Sequence, residues 1–133
     1  RCVIGFERRT IPGETQAQVV AEFESACAAV NARRPSFVAQ VRPIAAQGPS
    51  DVSVDAPIVL ALSKALGASG QPVKIEGMSA WTDAALLNDA GIPAVCFGPG
   101  DISLAHAAEE YIPLDEIDRA RDVLSALARS WCG

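Results

Sequence analysis

The chain has 133 residues, half of them hydrophobic, and a formal net charge of −5 at pH 7. This length suffices for one domain with a sizeable core. The acidic balance argues against nucleic-acid binding, no apolar run is long enough to span a membrane, and no signal-peptide pattern is present. Four widely spaced cysteines in apolar contexts predict buried free thiols, a cytoplasmic setting and no structural zinc site: Cys2, Cys27, Cys96 and Cys132.

The start of the chain predicts a piece of a longer protein. Arg1 is an unusual first residue, and the only methionine is Met78. A strand-like pattern begins at once. The alternative is an expression product whose leader has been removed.

The first part of the chain predicts a strand followed by a helix. Residues 2–7 alternate in polarity, which is typical of a half-buried strand and places Arg9 on the face opposite Phe6. After a turn at Pro12-Gly13, Thr15 and Gln18 fit a helix capping box. The following apolar positions have helical spacing: Val19, Val20, Phe23, Ala26, Cys27 and Val30.

The end of this helix and the next segment are also marked. Arg33 and Arg34 suit the negative end of the helix, and Pro35 stops it. Residues 36–41 predict a second strand. Residues 43–54 are rich in Pro, Gly, Ser and Asp, and we interpret them as a link to a second domain.

A second helix is predicted from its cap and its apolar stripe. Asp55 is the candidate cap, Pro57 lies in the first turn, and Gly67 is the candidate stop. Residues 73–75 predict a short strand. The buried stripe of the helix is Ile58, Val59, Leu62, Ala65 and Leu66.

The most informative stretch is residues 77–111. Thr82 is a candidate helix cap with Asp83 behind it, and Gly91 is a natural helix stop. Residues 94–97 predict a strand that ends in Gly98-Pro99-Gly100. A polar loop then leads to His106, the only histidine of the chain.

A last helix is predicted over residues 114–131, with Asp115, Glu116 and Asp118 at its positive end. Strands that alternate with helices predict parallel strands joined by right-handed crossovers, and therefore an α/β fold. The predicted apolar stripe of this helix is Ile117, Ala120, Leu124, Leu127, Ala128 and Trp131.

Several short motifs together resemble the dinuclear-zinc metallopeptidases that include acetylornithine deacetylase, succinyl-diaminopimelate desuccinylase, aminoacylase and carboxypeptidase G. Family members usually have Asp where this chain has Glu7. The order and spacing of the motifs carry the resemblance, since no single motif is specific. They are Glu7-Arg8-Arg9-Thr10-Ile11-Pro12-Gly13-Glu14, Trp81-Thr82-Asp83-Ala84, Gly91-Ile92-Pro93, Phe97-Gly98-Pro99-Gly100, and Ala105-His106 with Glu110.

The resemblance implies an α/β fold with part of an open, mainly parallel sheet and covering helices. This part is preceded by half of an α+β lid domain that mediates dimerisation. Residues 1–45 would form the second half of the lid, and residues 46–133 the C-terminal half of the catalytic domain. It also implies a pair of zinc ions per full-length protein, with cobalt or manganese as substitutes, and a homodimer.

The resemblance also assigns roles to individual residues. His106 would be a zinc ligand, and Glu110 and Asp83 would support the site from behind. Base rates alone favour a structural or exposed histidine and a helix-capping Thr82-Asp83 pair, and they leave a solvated Glu110 as an equal alternative. The predicted substrate-binding residues are Arg9 for the α-carboxylate, Thr82, and Gly98 and Gly100 through their backbone N–H groups.

The function that follows is hydrolysis of the amide bond of an N-acyl amino acid or small peptide with a free carboxylate. No catalytic base and no other metal ligand is recognised in the chain, so a missing N-terminal half would supply them. Arg8 is expected to be a solvated neighbour of Arg9. The alternative hypothesis is a non-catalytic amino-acid-binding or dimerisation module.

Overall fold

The computed structural model describes residues 2–133, which contain four α-helices and one short 3₁₀ turn. The chain divides into two compact units, one ending at Asp51 and the other beginning at Val52. This division lies within the predicted link over residues 43–54. The helices are α1 (Gln16–Arg33), α2 (Pro57–Ala68), α3 (Ala84–Asp89) and α4 (Leu114–Cys132), and the 3₁₀ turn is Ile102–Leu104.

Helix α1 begins at the predicted capping box, which is confirmed. The Gln18 N–H donates to Thr15 Oγ1 at 3.3 Å, and the Thr15 N–H donates to Gln18 Oε1 at 2.8 Å. The helix ends at Arg33, before Pro35, as predicted. Of its predicted apolar stripe all members but Ala26 are half-buried, and no residue of α1 is fully buried.

Helix α2 has Pro57 in its first turn, as predicted, but its predicted cap and stop residues are wrong. The N-cap residue is Ala56, not Asp55, and it makes no side-chain cap bond. Gly67 lies inside the helix, and Gly70, at φ +74°, closes it. The Gly70 N–H donates to Gly67 O at 3.1 Å, and the N–H of the next residue donates to Leu66 O. A glycine ends a helix where the backbone turns left-handed, and that position is Gly70.

Helix α3 shows the opposite outcome at its two ends. The prediction that Thr82 caps it is wrong, because the N-cap residue is Asp83 and no side chain caps the helix. The Gly91 stop is confirmed: Gly91 has φ +77° and its N–H donates to Asn88 O at 3.0 Å. The Ile92 N–H donates to Leu87 O at 2.8 Å, which completes a Schellman closure.

The core of the second unit lies where α4 packs against α2. Val123 is only 1% exposed and packs with Leu62 and Ala65 of α2. The predicted stripe of α4 omitted Val123, whereas Leu124 is 47% exposed. The predicted stripe lies partly on the wrong side of the helix, because apolar residues occupy two adjacent sides. Half-buried residues pack around this core: Leu66, Val95, Phe97, Ala126 and Leu127.

The four predicted strands are not paired into ladders within residues 2–133. A strand needs a neighbour to complete its backbone hydrogen bonds. The α/β sheet therefore stays a prediction. The four segments are residues 2–7, 36–41, 73–75 and 94–97.

The cysteines are free, as predicted, but not buried. Cys27 is half-buried, whereas Cys2, Cys96 and Cys132 are exposed. The prediction of buried thiols is wrong because an apolar neighbourhood in sequence does not guarantee a packed one in space. None of the helices within residues 2–133 combines the length and the hydropathy that crossing a membrane requires.

Candidate active-site surface

The segment that precedes the glycine loop is anchored by an asparagine side chain. Asn88 Nδ2 donates to Ala94 O at 2.9 Å, and the Ala94 N–H donates to Asn88 Oδ1 at 2.7 Å. Val95 and Phe97 then pack against the core of the second unit. This role of Asn88 was not predicted from the sequence. The available signal was an amide side chain just before a helix-ending glycine.

Gly100 occupies a position that only glycine fits well. Its φ is +90°, and an added Cβ would lie 3.1 Å from Ile112 Cγ1. Its N–H donates to Glu116 Oε2 at 2.8 Å. The structure therefore places this N–H on a first-turn carboxylate of α4, which was not foreseen. Gly98, the other predicted donor, is exposed.

Asp101 starts the turn that leads to the histidine. Its Oδ1 accepts the Ser103 N–H at 2.8 Å, which caps the 3₁₀ turn. This backbone hydrogen bond stabilises the carboxylate and lowers the pKa of Asp101 below its ordinary value. Asp101 thus fixes the path of the chain after Gly100.

His106 has an unusual backbone conformation. Its φ is +65°, the only positive φ of a non-glycine residue within residues 2–133. This left-handed conformation is uncommon for residues other than glycine, although histidine adopts it more readily than most. The His106 N–H donates to Glu110 Oε2 at 3.1 Å. Glu110 therefore supports the backbone of His106, and the side chain of His106 stays exposed.

A metal site is not complete within the residues that the structure describes. Residues 2–133 contain no group of three His, Cys, Asp or Glu side chains close enough to hold an ion. Structural and catalytic zinc sites use three or four protein ligands. The described residues by themselves do not fit a zinc ion, and His106 offers a single imidazole.

Thr82 lies beside the segment over residues 94–97, and Asp83 follows it at the start of α3. Thr82 is half-buried, and its Oγ1 lies 3.1 Å from Cys96 Sγ, with either group able to donate. Asp83 is exposed at the N-cap position of α3. The structure thus joins Thr82 to Cys96, a partner that the sequence analysis did not identify.

Arg9 lies in the first unit with an exposed side chain. Its Nε is 2.7 Å from Glu7 Oε1, and 65% of its side chain is accessible. An arginine fork carries further N–H donors on its terminal nitrogens. The Arg9 guanidinium therefore lies beside the Glu7 carboxylate, on a side chain that is mostly accessible.

Arg8 is not the solvated neighbour that was predicted, and that prediction is wrong. It donates through both terminal nitrogens to Glu14 at 2.6 Å each, and it lies 3.6 Å from Glu22. The Arg8 hydrogen bond, with help from the Ile11 N–H, lowers the pKa of Glu14 to about 2. A bidentate partner six residues away cannot be seen in strand alternation, because the turn at Pro12-Gly13 creates it.

The structure brings one pair of predicted site residues together, and it joins two others to residues that were not predicted for the site. His106 is paired with Glu110, Gly100 with Glu116, and Thr82 with Cys96. These pairs lie in the second unit, and Arg9 lies in the first. Their roles in catalysis stay predictions.

Comparison with known proteins extends these local observations. Residues 2–130 match the family model described as Peptidase family M20/M25/M40. The acetylornithine deacetylase of Myxococcus xanthus is 32% identical over 132 residues, which cover 99% of this chain and 33% of that protein. The comparison with solved structures gives no match.

Other relatives have related names. The N-formyl-4-amino-5-aminomethyl-2-methylpyrimidine deformylase of Bacillus subtilis is 33% identical over 141 residues, covering 91% of this chain and 32% of that protein. The succinyl-diaminopimelate desuccinylase of Corynebacterium glutamicum is 39% identical over 51 residues, covering 38% of this chain and 14% of that protein.

The chain spans about a third of the length of the first two of these relatives. The family match, in contrast, extends over nearly all of the chain. The resemblance noted in the sequence is thus confirmed, and the chain belongs to Peptidase family M20/M25/M40.

Proposed function

We propose that this chain is part of a metal-dependent amidohydrolase that removes an acyl group from an amino acid or small peptide with a free carboxylate. Family membership over residues 2–130 supports this proposal. The relatives named as deacetylase, deformylase and desuccinylase share one reaction type in their names, which is removal of an acyl group. The intact protein would carry the activity.

His106 would supply one metal ligand. The observation that carries this role is the left-handed backbone at His106, with its N–H held by Glu110. Unfavourable backbone conformations persist where the surroundings fix them, and they cluster at functional sites. The exposed imidazole is also free of the packing that a structural histidine would have.

The remaining metal ligands and the catalytic base would come from residues outside this chain. The described residues contain no cluster that could hold a metal ion, and a complete site needs three or four ligands. A pair of zinc ions per intact protein is the proposed content, with cobalt or manganese as substitutes. A bound metal would supply Lewis-acid polarisation of the amide and an activated water.

Arg9 would bind the substrate's carboxylate. The 65% exposure of its side chain supports this role, because a ligand carboxylate can reach the guanidinium. Thr82 and the backbone of Gly98 would contact the substrate near the metal. Gly100 would shape the loop, since Glu116 takes its N–H.

The proposed architecture of the intact protein is an α/β catalytic domain with a lid. The apolar segments over residues 73–75 and 94–97 would pair with strands from outside this chain into an open, mainly parallel sheet. Residues 1–45 would complete half of an α+β lid that forms a homodimer. The exposed Val3, Ile4 and Val38, at 78–86% exposure, support such a covering partner.

The test is metal removal from the intact protein. N-acetyl-L-ornithine and a panel of N-acyl amino acids would be assayed after chelation, and again after zinc or cobalt is restored. We expect loss of turnover with the chelator and recovery with the metal. Full activity in a rigorously metal-free preparation would refute the proposal. Tight, metal-independent binding of an amino acid without hydrolysis would instead favour the non-catalytic module.

A further inference from the structure

The segment that carries Arg9 is closed on itself by one carboxylate. Glu14 accepts two hydrogen bonds from Arg8 at 2.6 Å each. Its Oε2 also accepts the Ile11 N–H at 2.9 Å. The Glu14 N–H in turn donates to Ile11 O at 3.1 Å. Glu14 therefore ties both sides of the Pro12-Gly13 turn.

Arg8 extends this closure to the backbone of Arg9. One of its terminal nitrogens donates to the Arg9 carbonyl oxygen as well as to Glu14. The same side chain lies 3.6 Å from Glu22 of α1. Because Glu14 directly precedes the Thr15 cap, this chain of bonds connects the Arg9 backbone to the first turns of the helix.

Arg8 and Glu14 are more buried than the Arg9 side chain that they adjoin. The side chains of Arg8 and Glu14 are 31% and 27% exposed, whereas that of Arg9 is 65% exposed. A bidentate arginine–carboxylate pair fixes orientation as well as distance. The exposed guanidinium of Arg9, which contacts Glu7, thus projects from a backbone that its more buried neighbour holds in place.

We propose that Arg8 and Glu14 are positioning residues that hold Arg9 for the substrate's carboxylate. The inference deepens the proposed function and rests on it. The pair does not touch substrate. It limits the range of positions that the Arg9 guanidinium samples, so that less order has to be imposed when the substrate binds.

The experiment compares Glu14→Gln with the unchanged intact protein. The substrates are N-acetyl-L-ornithine and its α-carboxamide, which lacks the charge that Arg9 would bind. For the free carboxylate we expect KM to rise about fivefold, with kcat within a factor of two. The carboxamide should show no change in KM.

Four further variants sharpen this result. Arg8→Gln should raise KM as Glu14→Gln does. Arg8→Lys should raise KM less than Arg8→Gln but should not restore the original value, because lysine cannot form the bidentate pair. In an Arg9→Ala background, Glu14→Gln should have no further effect. Asp122→Asn breaks an exposed ion pair with Arg121 on α4 and should leave both substrates unaffected.

The outcomes separate this inference from the proposed function. Equal KM changes for both substrates, or a full Glu14→Gln effect in the Arg9→Ala background, would overturn the inference alone. No hydrolysis by the unchanged protein of any N-acyl amino acid would overturn the proposed function. In that case amide hydrogen exchange would test whether Glu14 holds the segment that carries Arg9. Unchanged exchange at residues 9–13 in Glu14→Gln would refute this structural role, and faster exchange would support it.

Discussion

The two units of this chain keep their shape by different means. The first, ending at Asp51, has no fully buried side chain among its described residues, and polar ties organise it: the Thr15–Gln18 capping box and the Arg8–Glu14 pair. The second, beginning at Val52, has a small apolar core around Val123 where α2 and α4 meet. Polar ties act locally, whereas a core joins segments that are distant in sequence.

This difference bears on where function is expected. In the second unit the loop after Phe97 is anchored to a core on one side and to α4, through Glu116, on the other. A functional side chain on that loop is therefore held in position by two anchored ends. In the first unit Arg9 depends on hydrogen bonds made by its neighbours. Changes in the two units should therefore have different consequences.

The largest effect is expected at the loop of the second unit. In the intact protein, His106→Ala should lower kcat by more than about 100-fold, because a ligand matters more than the groups that support it. Glu110→Gln is the matched control and should lower kcat by only about tenfold, because its amide oxygen can still accept the His106 N–H. Thermal melting should show both variants folded. Near-normal kcat and metal content in His106→Ala would return this histidine to a structural role.

The next largest effect is expected at Arg9 of the first unit. Arg9→Ala should lower kcat/KM for carboxylate substrates by about 10- to 100-fold, the equivalent of one charged hydrogen-bonded pair. An amidated substrate should be much less affected. Arg42→Ala, at an exposed arginine in the same unit, should leave both substrates unchanged. Equal losses on both substrates would mean that Arg9 supports the unit and does not bind the carboxylate.

Core packing in the second unit gives the third comparison. Val123→Ala should lower the free energy of unfolding by about 2 kcal/mol, because two methyl groups leave a packed core. Leu124→Ala, on the more exposed side of α4, should cost about 0.5 kcal/mol. Urea unfolding followed by circular dichroism measures both. Similar costs for the two variants would show that another part of the protein covers Leu124.

Replacing Thr15 and Thr82 compares the starts of α1 and α3 by their effect on the free energy of unfolding. Thr15→Ala should cost about 1 kcal/mol, because it removes an N-cap acceptor from α1. Thr82→Ala should cost less than about 0.5 kcal/mol, since Thr82 caps no helix. The same urea titration applies. A Thr82 cost equal to that of Thr15 would show that the contact with Cys96 Sγ is structurally important.

The smallest effect is the pH dependence of the Arg8–Glu14 pair. The folded-state pKa of Glu14 is lowered to about 2, so its contribution to stability is present above the ordinary carboxyl pKa of about 4.3 and is lost as pH falls towards about 2. The difference in melting temperature between the unchanged chain and Glu14→Gln should be constant above about pH 5 and shrink below it. A difference that grew on acidification would contradict this assignment.

Features encoded by neighbouring residues were predictable. The Thr15–Gln18 box, the stop before Pro35 and the Gly91 closure each depend on a few residues within one or two turns. The family was predictable as well, because the order of short motifs can be read from the sequence without knowing which residues are in contact. The site residues themselves stay predictions, although their local supports are now visible.

Features that depend on distant partners were missed or wrong. The prediction of a solvated Arg8 is wrong because the turn that brings Glu14 to it lies between the two residues. The cap prediction for Thr82 is wrong, and the partner that its side chain does contact, Cys96, is 14 residues away. On α4 the apolar residues mark two sides, and only packing against α2 selects the side with Val123.

The sequence by itself determined the helices, most of their ends and the family of this protein, because backbone capping and apolar periodicity act over a few residues. Tertiary structure alone decided which apolar side of α4 is buried and which carboxylate holds Arg8. It also decided that His106 turns left-handed over Glu110. These choices depend on which groups meet in space and compete for the same hydrogen bonds and the same small core.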